Sequence, residues 1–167
     1  PWLTGARRSG GSGSAGAPAG GAVTAPTVQG LPLIKPPYGR ISAIDLDLGS
    51  ILWQIPHGET PEAIRNHPAL RGIDLGRTGR AGMVGTLVTK TLLIAGEPGF
   101  GPTPSGETGS LLRAYDKATG ADAGVLYTPA PQTGSPMTYM LDGRQYLVVA
   151  ISGGSYSGEL LAFRLPD

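Results

Sequence analysis

Two segments of the chain, Ala43-Ile44-Asp45-Leu46-Asp47-Leu48-Gly49 and Ala114-Tyr115-Asp116-Lys117-Ala118-Thr119-Gly120, share the skeleton Ala-x-Asp-x-x-x-Gly. Each follows a short β-rich run, Ile41-Ser42 in the first case and Leu111-Leu112-Arg113 in the second. A weaker third copy, Leu160-Leu161-Ala162-Phe163, has neither the Asp nor the turn Gly. The alanines at 43, 114 and 162 are 71 and 48 residues apart. A period of roughly 40–50 residues is the spacing of repeated four-stranded units. The longer first gap then marks an insertion, and the chain reads as part of a repeat protein.

Composition agrees with many short strands. The 28 glycines and 16 prolines oppose a helical protein and favour turns at close intervals. There is no cysteine, which excludes disulfides and thiolate metal sites. The net charge of +1 is unevenly placed: residues 1–40 carry four basic and no acidic side chains, and residues 41–167 nine basic against twelve acidic. A mildly acidic folded part without a basic stripe gives no footprint for nucleic acid. No apolar run approaches the ~20 residues of a membrane span. The first residue is Pro1 and no signal-peptide pattern follows it, so the sequence is read as a fragment whose start lies upstream.

Residues 9–22 are all Gly, Ser, Ala and Pro, and residues 1–30 are read as a flexible loop or linker, with Arg7 and Arg8 as solvated charges. Residues 31–39 hold enough proline to run extended. Residues 39–56 predict a hairpin in which Asp45 accepts backbone N–H bonds of the turn and Gly49 takes the positive φ of the reversal. Trp53, on the returning strand, is expected as a flat packing contact between units. Strands are predicted at 86–88, 91–95, 111–116 and 121–127, a complete four-stranded unit. Further strands follow at 135–140, 144–151 and 159–165, with Asp142-Gly143 as a two-residue turn and a loop over 153–158. The fold class is all-β: about two and a half four-stranded blades of a partial β-propeller, over residues 31–167. The last blade lacks an outer strand, for which Pro1 to Leu3 is a poor candidate.

Residues 56–84 interrupt this rhythm as a long loop insertion. Thr60-Pro61-Glu62-Ala63 predicts an N-cap and one short helix through about Asn66. His57 and His67, the two histidines, stand near Glu59 and Glu62 but fit no metal-ligand spacing. The expectation for both is an exposed or capping loop histidine. Arg65, Arg71, Arg77 and Arg80 are read as solvated loop charges, or as partners of an anionic ligand if the loop folds over a cavity.

Several motifs together resemble one family. Ala43-x-Asp45-x-x-x-Gly49-x-x-x-Trp53 is similar to the tryptophan-docking repeat of the pyrroloquinoline quinone (PQQ)-dependent dehydrogenases, which are eight-bladed propellers. Gly134-Ser135-Pro136-Met137-Thr138-Tyr139, with Asp142 to Ala150 after it, resembles that family's last blade. Leu161 to Pro166 resembles its C-terminus, and Pro36 to Ile41 its membrane-associated glucose dehydrogenase-like branch. The resemblance implies the C-terminal part of an oxidoreductase acting on a sugar or alcohol in the periplasm. It further implies PQQ and Ca²⁺ as cofactors, and a membrane quinone or cytochrome as electron acceptor. The calcium ligands and catalytic base would lie upstream, in the remaining blades. The loop entering the inner strand, Arg80 to Thr86, would face the quinone, which makes Arg80, Met83 and Gly85 the candidate cofactor-binding residues. Two departures stand out: Gly124 replaces the docking Trp of the second repeat, and only Gly85 of the cofactor-facing loop matches the family pattern. The alternatives are a non-catalytic propeller scaffold, like the outer-membrane assembly lipoproteins, and an inactive truncated fragment.

Overall fold

The computed structural model describes residues 26–103 and 106–164. The Gly/Ser/Ala/Pro run and Pro1 to Leu3 lie outside the described residues. Within the range expected as linker, β1 (Thr27–Val28) pairs with β2 (Leu31–Pro32) around Gln29-Gly30.

The two copies of the repeat fold alike. The first is a hairpin of β3 (Arg40–Asp45) and β4 (Ser50–Pro56). The second is formed by β8 (Thr108–Asp116) and β9 (Asp122–Thr128). Asp45 Oδ1 accepts from the backbone N–H groups of Asp47 and Leu48 at 2.9 and 3.0 Å. Asp116 Oδ1 accepts from Ala118 and Thr119 N–H at 3.0 and 2.9 Å and from the Thr119 hydroxyl at 2.8 Å. The bonds from Thr119 hold the Asp116 carboxyl below its usual range. The register also repeats: Ala43 faces Trp53 and Ala114 faces Gly124, and a bulge follows each alanine. Gly124 therefore occupies the Trp position.

Between the hairpins lie β5 (Thr86–Val88) and β6 (Leu92–Gly96), which complete an antiparallel order β5-β6-β8-β9. A two-residue strand, β7 (Gly101–Pro102), lies beside the start of β8. The last unit is β10 (Met137–Leu141), β11 (Arg144–Gly153) and β12 (Tyr156–Arg164), in that order. Asp142 and Gly143 turn it with φ of 50° and 73°, the conformation a two-residue hairpin needs. The loop expected over 153–158 is shorter: Gly153 pairs with Tyr156, so the strands run almost to the turn. The sheets do not close, and the chain is part of a β-propeller with two, four and three strands in successive blades.

Alternation along β8 gives each of its faces a different neighbour. Leu112 faces the third blade, joining Ala130, Val149 and Ile151 in a buried cluster with Ile94, Leu161 and Phe163 against it. Each such fully buried aliphatic contributes about 1.5–3 kcal/mol. Leu111, Arg113 and Tyr115 lie on the opposite face, equally buried.

Trp53 joins the first blade to the second. Its indole N–H donates to the Lys117 carbonyl at 3.1 Å. Its ring lies over Gly120, where an added Cβ would stand 2.8 Å from Trp53 Cε3 and 3.0 Å from Ile55 Cγ2. Gly120 also has φ of 75°. The turn glycine of one repeat is thus the seat for the tryptophan of the preceding one.

Two predictions follow from this packing. Gly120→Ala meets both the φ strain of roughly 1–3 kcal/mol and the Trp53 ring. In a Trp53→Ala background the strain and the Ile55 contact remain but the clash with the ring is gone, so a double-mutant cycle read by denaturant unfolding gives a coupling of at least about 1 kcal/mol. Additive costs would remove Gly120 as the seat. The outer faces carry exposed Leu46, Leu48, Ile51, Leu52, Met140 and Leu160. Residues 1–167 alone are therefore expected to self-associate in sedimentation experiments, whereas a cooperatively melting monomer would contradict this.

Candidate functional site

The insertion closes on itself at its base. His57 N–H donates to the Gly39 carbonyl at 2.9 Å, and Arg80 N–H donates to the His57 carbonyl at 2.8 Å. Residues 57–80 therefore leave and return at one point, next to the candidate Arg80. The predicted helix is present as α1 (Glu62–Arg65), but Thr60 does not cap it. The Thr60 hydroxyl instead donates to the Gly76 carbonyl at 2.8 Å and accepts from Thr78 N–H at 3.1 Å, bracing the inside of the loop.

The two histidines part ways. His67 caps a single 3-10 turn (Pro68–Leu70), accepting from Ala69 N–H at 3.2 Å, as a capping histidine should. His57 is not exposed: it is buried, with Nε2 2.9 Å from the Gly96 carbonyl and Nδ1 2.9 Å from the Tyr115 hydroxyl. A carbonyl only accepts, so Nε2 carries the proton and Nδ1 accepts from Tyr115. Burial lowers the His57 pKa, with the Gly96 carbonyl opposing in part. Burial likewise pushes the Tyr115 hydroxyl up to about 12. Both groups are neutral at pH 7, and a neutral pair suits the low dielectric.

The insertion's charges are mostly paired. Arg77 makes a two-pronged contact with Asp122 on β9, at 3.0 and 2.6 Å, and Arg65 meets Glu59 at 3.2 Å. The Arg77 bond holds the Asp122 carboxyl below its usual range. Glu59 in turn accepts from Arg113 Nη2, while Arg113 Nε donates to Glu97. Arg113 and Glu97 are both buried. The sequence reading passed over this Glu59–Arg113–Glu97 group, although one arginine in the apolar run 111–115 was a signal for a buried charge needing partners.

A cleft of about 590 Å³ lies between the insertion and the β6–β8 loop. Pro61, Glu62, Arg80, Ala81, Gly82 and Met83 line one side, Pro98 to Pro102 the other, and Gln132 also borders it. Arg80 Nη1 donates to the Phe100 carbonyl at 2.7 Å and to the Pro98 carbonyl at 3.4 Å, so its guanidinium spans the cleft. Met83 is 83 % exposed. Gly85 does not line the cleft but sits behind it, its carbonyl accepting from Gln132 Nε2 at 2.7 Å. The same amide nitrogen donates to the Gly134 carbonyl at 2.6 Å, and Gln132 Oε1 accepts from Gly96 N–H at 2.7 Å. Of the residues singled out in the sequence, Arg80 and Met83 line this cleft; Phe100 and Gln132 line it without having been singled out. Nothing in a turn-rich loop distinguishes either residue before the blades are docked.

Because His57 stays neutral when folded and titrates near 6.5 when unfolded, the unfolded chain takes up more protons below that pH. Its contribution to stability is complete above pH 6.5 and declines as the pH falls below it. His57→Gln is expected to flatten the stability–pH slope between about pH 6.5 and 5, measured by denaturant titration. An unchanged slope would contradict this reading.

The sequence model of the family described as PQQ, glucose/ethanol/alcohol dehydrogenase, beta-propeller domain, matches residues 5–147. The chain is similar to a probable quinate dehydrogenase (quinone) of Xanthomonas campestris pv. juglandis, 33% identical over 150 residues. That similarity covers 83% of this chain and 17% of the relative. It is also similar to quinoprotein glucose dehydrogenase A of Acinetobacter calcoaceticus, 27% identical over 143 residues, with 83% and 16% covered. The glycerol dehydrogenase large subunit of Gluconobacter oxydans (strain 621H) is 30% identical over 141 residues, with 80% and 17% covered. The chain thus spans 16–17% of the length of these curated relatives. The blades, the docking tryptophan and the matched residues converge: the chain belongs to the PQQ-dependent glucose/ethanol/alcohol dehydrogenase β-propeller family.

Proposed function

We propose that the chain is the C-terminal part of a PQQ-dependent dehydrogenase that oxidises a sugar or alcohol, with Arg80 and Met83 bordering the quinone. The observation that carries this reading is the family match over residues 5–147, joined to a cleft with a cation and apolar surface at its mouth. The relatives are named for quinate, glucose and glycerol, all polyhydroxylated molecules.

The residues present suit one edge of such a cofactor. PQQ is a flat tricarboxylate, so its seat needs cationic donors and apolar faces. Arg80 supplies a guanidinium, and Met83, Phe100 and Pro98 supply apolar surface. Gln132 is committed to three backbone groups and serves as scaffold. Gly85 belongs to the site through that scaffold, holding the strand that follows Met83 close to the last blade. The cofactor, when bound, supplies an o-quinone as two-electron acceptor; the protein's share is to orient and to exclude water.

Calcium is a different matter. Among the described residues no three His, Asp or Glu side chains converge to hold a metal. As the family resemblance implies, this reading assigns Ca²⁺ and the catalytic base to the remaining blades of the intact protein. The same proposal places the intact enzyme facing the periplasm, passing electrons to a membrane quinone or cytochrome. Among the described residues no helix is long and apolar enough to cross a membrane.

The test uses the intact protein and PQQ titrated by fluorescence quenching. Arg80→Ala is expected to raise the PQQ dissociation constant by at least about tenfold, the scale of a lost charge-assisted bond. Met83→Ala is expected to raise it by a smaller factor. If Arg80→Ala leaves both affinity and turnover unchanged, Arg80 is not in the site.

A further inference from the structure

Both walls of the cleft are anchored at one buried side chain. The insertion wall, Pro61-Glu62, begins two residues after Glu59, and the opposite wall begins at Pro98, immediately after Glu97. Arg113, with a side chain only 7% exposed, reaches both: Nη2 donates to Glu59 Oε1 and Nε to Glu97 Oε1. The walls are also tied directly. Glu59 N–H donates to Glu97 Oε2 at 3.1 Å, and His57 Nε2–H donates to the Gly96 carbonyl at 2.9 Å. Glu97 is further fixed to β8, since its N–H donates to the Leu111 carbonyl at 2.7 Å and its carbonyl accepts from the Ser110 hydroxyl at 3.0 Å.

We propose that Arg113 is a positioning residue that sets the separation of the two cleft walls and so determines how tightly the cleft holds its cofactor. Arg113 does not line the cleft, and it acts through Glu59 and Glu97. A planar guanidinium has two donor edges in fixed relation, so it dictates where both carboxylates sit relative to β8. The burial of Arg113 and Glu97 makes the arrangement all-or-none, because a stranded charge there is costly. The ties above the clasp, from Arg80 to the Pro98 and Phe100 carbonyls, hold only if the walls start at the right distance. This proposal rests on the reading of the cleft as a quinone site.

The experiment is Arg113→Lys in the intact protein, with PQQ binding to the cofactor-free form followed by fluorescence. Lysine keeps the charge but has a single nitrogen, which cannot serve two carboxylates in the guanidinium's geometry. The PQQ dissociation constant is expected to rise about 10- to 100-fold, as when a supporting partner behind a bound group is lost. Turnover at saturating PQQ is expected to recover most of its wild-type value. A lowered melting temperature with an unchanged dissociation constant makes Arg113 a stability residue only and overturns the proposal. If Arg113→Lys does not melt cooperatively, Glu59→Gln replaces it, since Glu59 is partly exposed and the buried Arg113–Glu97 pair is kept. That variant is expected to weaken PQQ binding about threefold, the scale of partly exposed ion pairs, and unchanged binding overturns the clasp. Wild-type protein that binds no PQQ overturns the cofactor reading as well. Wild-type binding with an insensitive Arg113→Lys overturns the clasp alone.

Discussion

An arginine in the middle of a buried strand is the constraint that the architecture of this chain answers to. Arg113 lies on the same face of β8 as Leu111 and Tyr115, away from water. A guanidinium stays charged at any ordinary pH, so desolvation must be offset by carboxylates in good geometry. Glu97 comes from the loop after β6, and Glu59 from the insertion. Meeting that requirement draws the insertion down onto the second blade. Arg77 and Asp122 then fasten the far side of the loop at the blade edge. An insertion of polar and glycine-rich sequence becomes a fixed wall because ionic partners, together with the buried Ile64, hold it.

The docking of blades follows a different physics. Trp53 brings a large flat ring, and Gly120 offers a surface without a side chain on which the ring can lie. The indole N–H needs a partner once covered, and the Lys117 carbonyl in the same turn supplies it. The Ala-x-Asp-x-x-x-Gly pattern is therefore a unit: the Asp shapes the turn, and the shaped turn presents the glycine. Gly124 stands where the next Trp would be, and the third copy has Arg164 in the Asp position. The second and third blades meet instead through the aliphatic cluster around Val149 and Ile151.

The candidate site was only partly legible. Arg80 and Met83 came from their place in the loop entering the inner strand, and both border the cleft. Phe100 and Gln132 were invisible because their roles depend on contacts made across blades. His57 was misread as an exposed or capping histidine. Its surroundings in sequence are polar, and the burial comes from Tyr115 and Gly96, which only docking brings near. Thr60 was misread as a helix cap because local pattern cannot tell whether a hydroxyl has a better partner elsewhere, here Gly76 and Thr78.

What the sequence alone determined is whatever a few neighbouring residues decide. Asp45 and Asp116 reach N–H groups two and three residues ahead, and Asp142-Gly143 takes a turn that most residue pairs cannot. Those signals were enough for an all-β chain of repeated hairpins and for the strands of its blades, but not for the short β1, β2 and β7. The tertiary structure alone decided which partners side chains find across 64, 58 and 54 residues: Trp53 the Lys117 carbonyl, His57 the Tyr115 hydroxyl, and Glu59 the Arg113 guanidinium. Such contacts depend on how whole sheets stack and where a long loop returns. A residue's chemistry says that it needs a partner, and only packing says which one it finds.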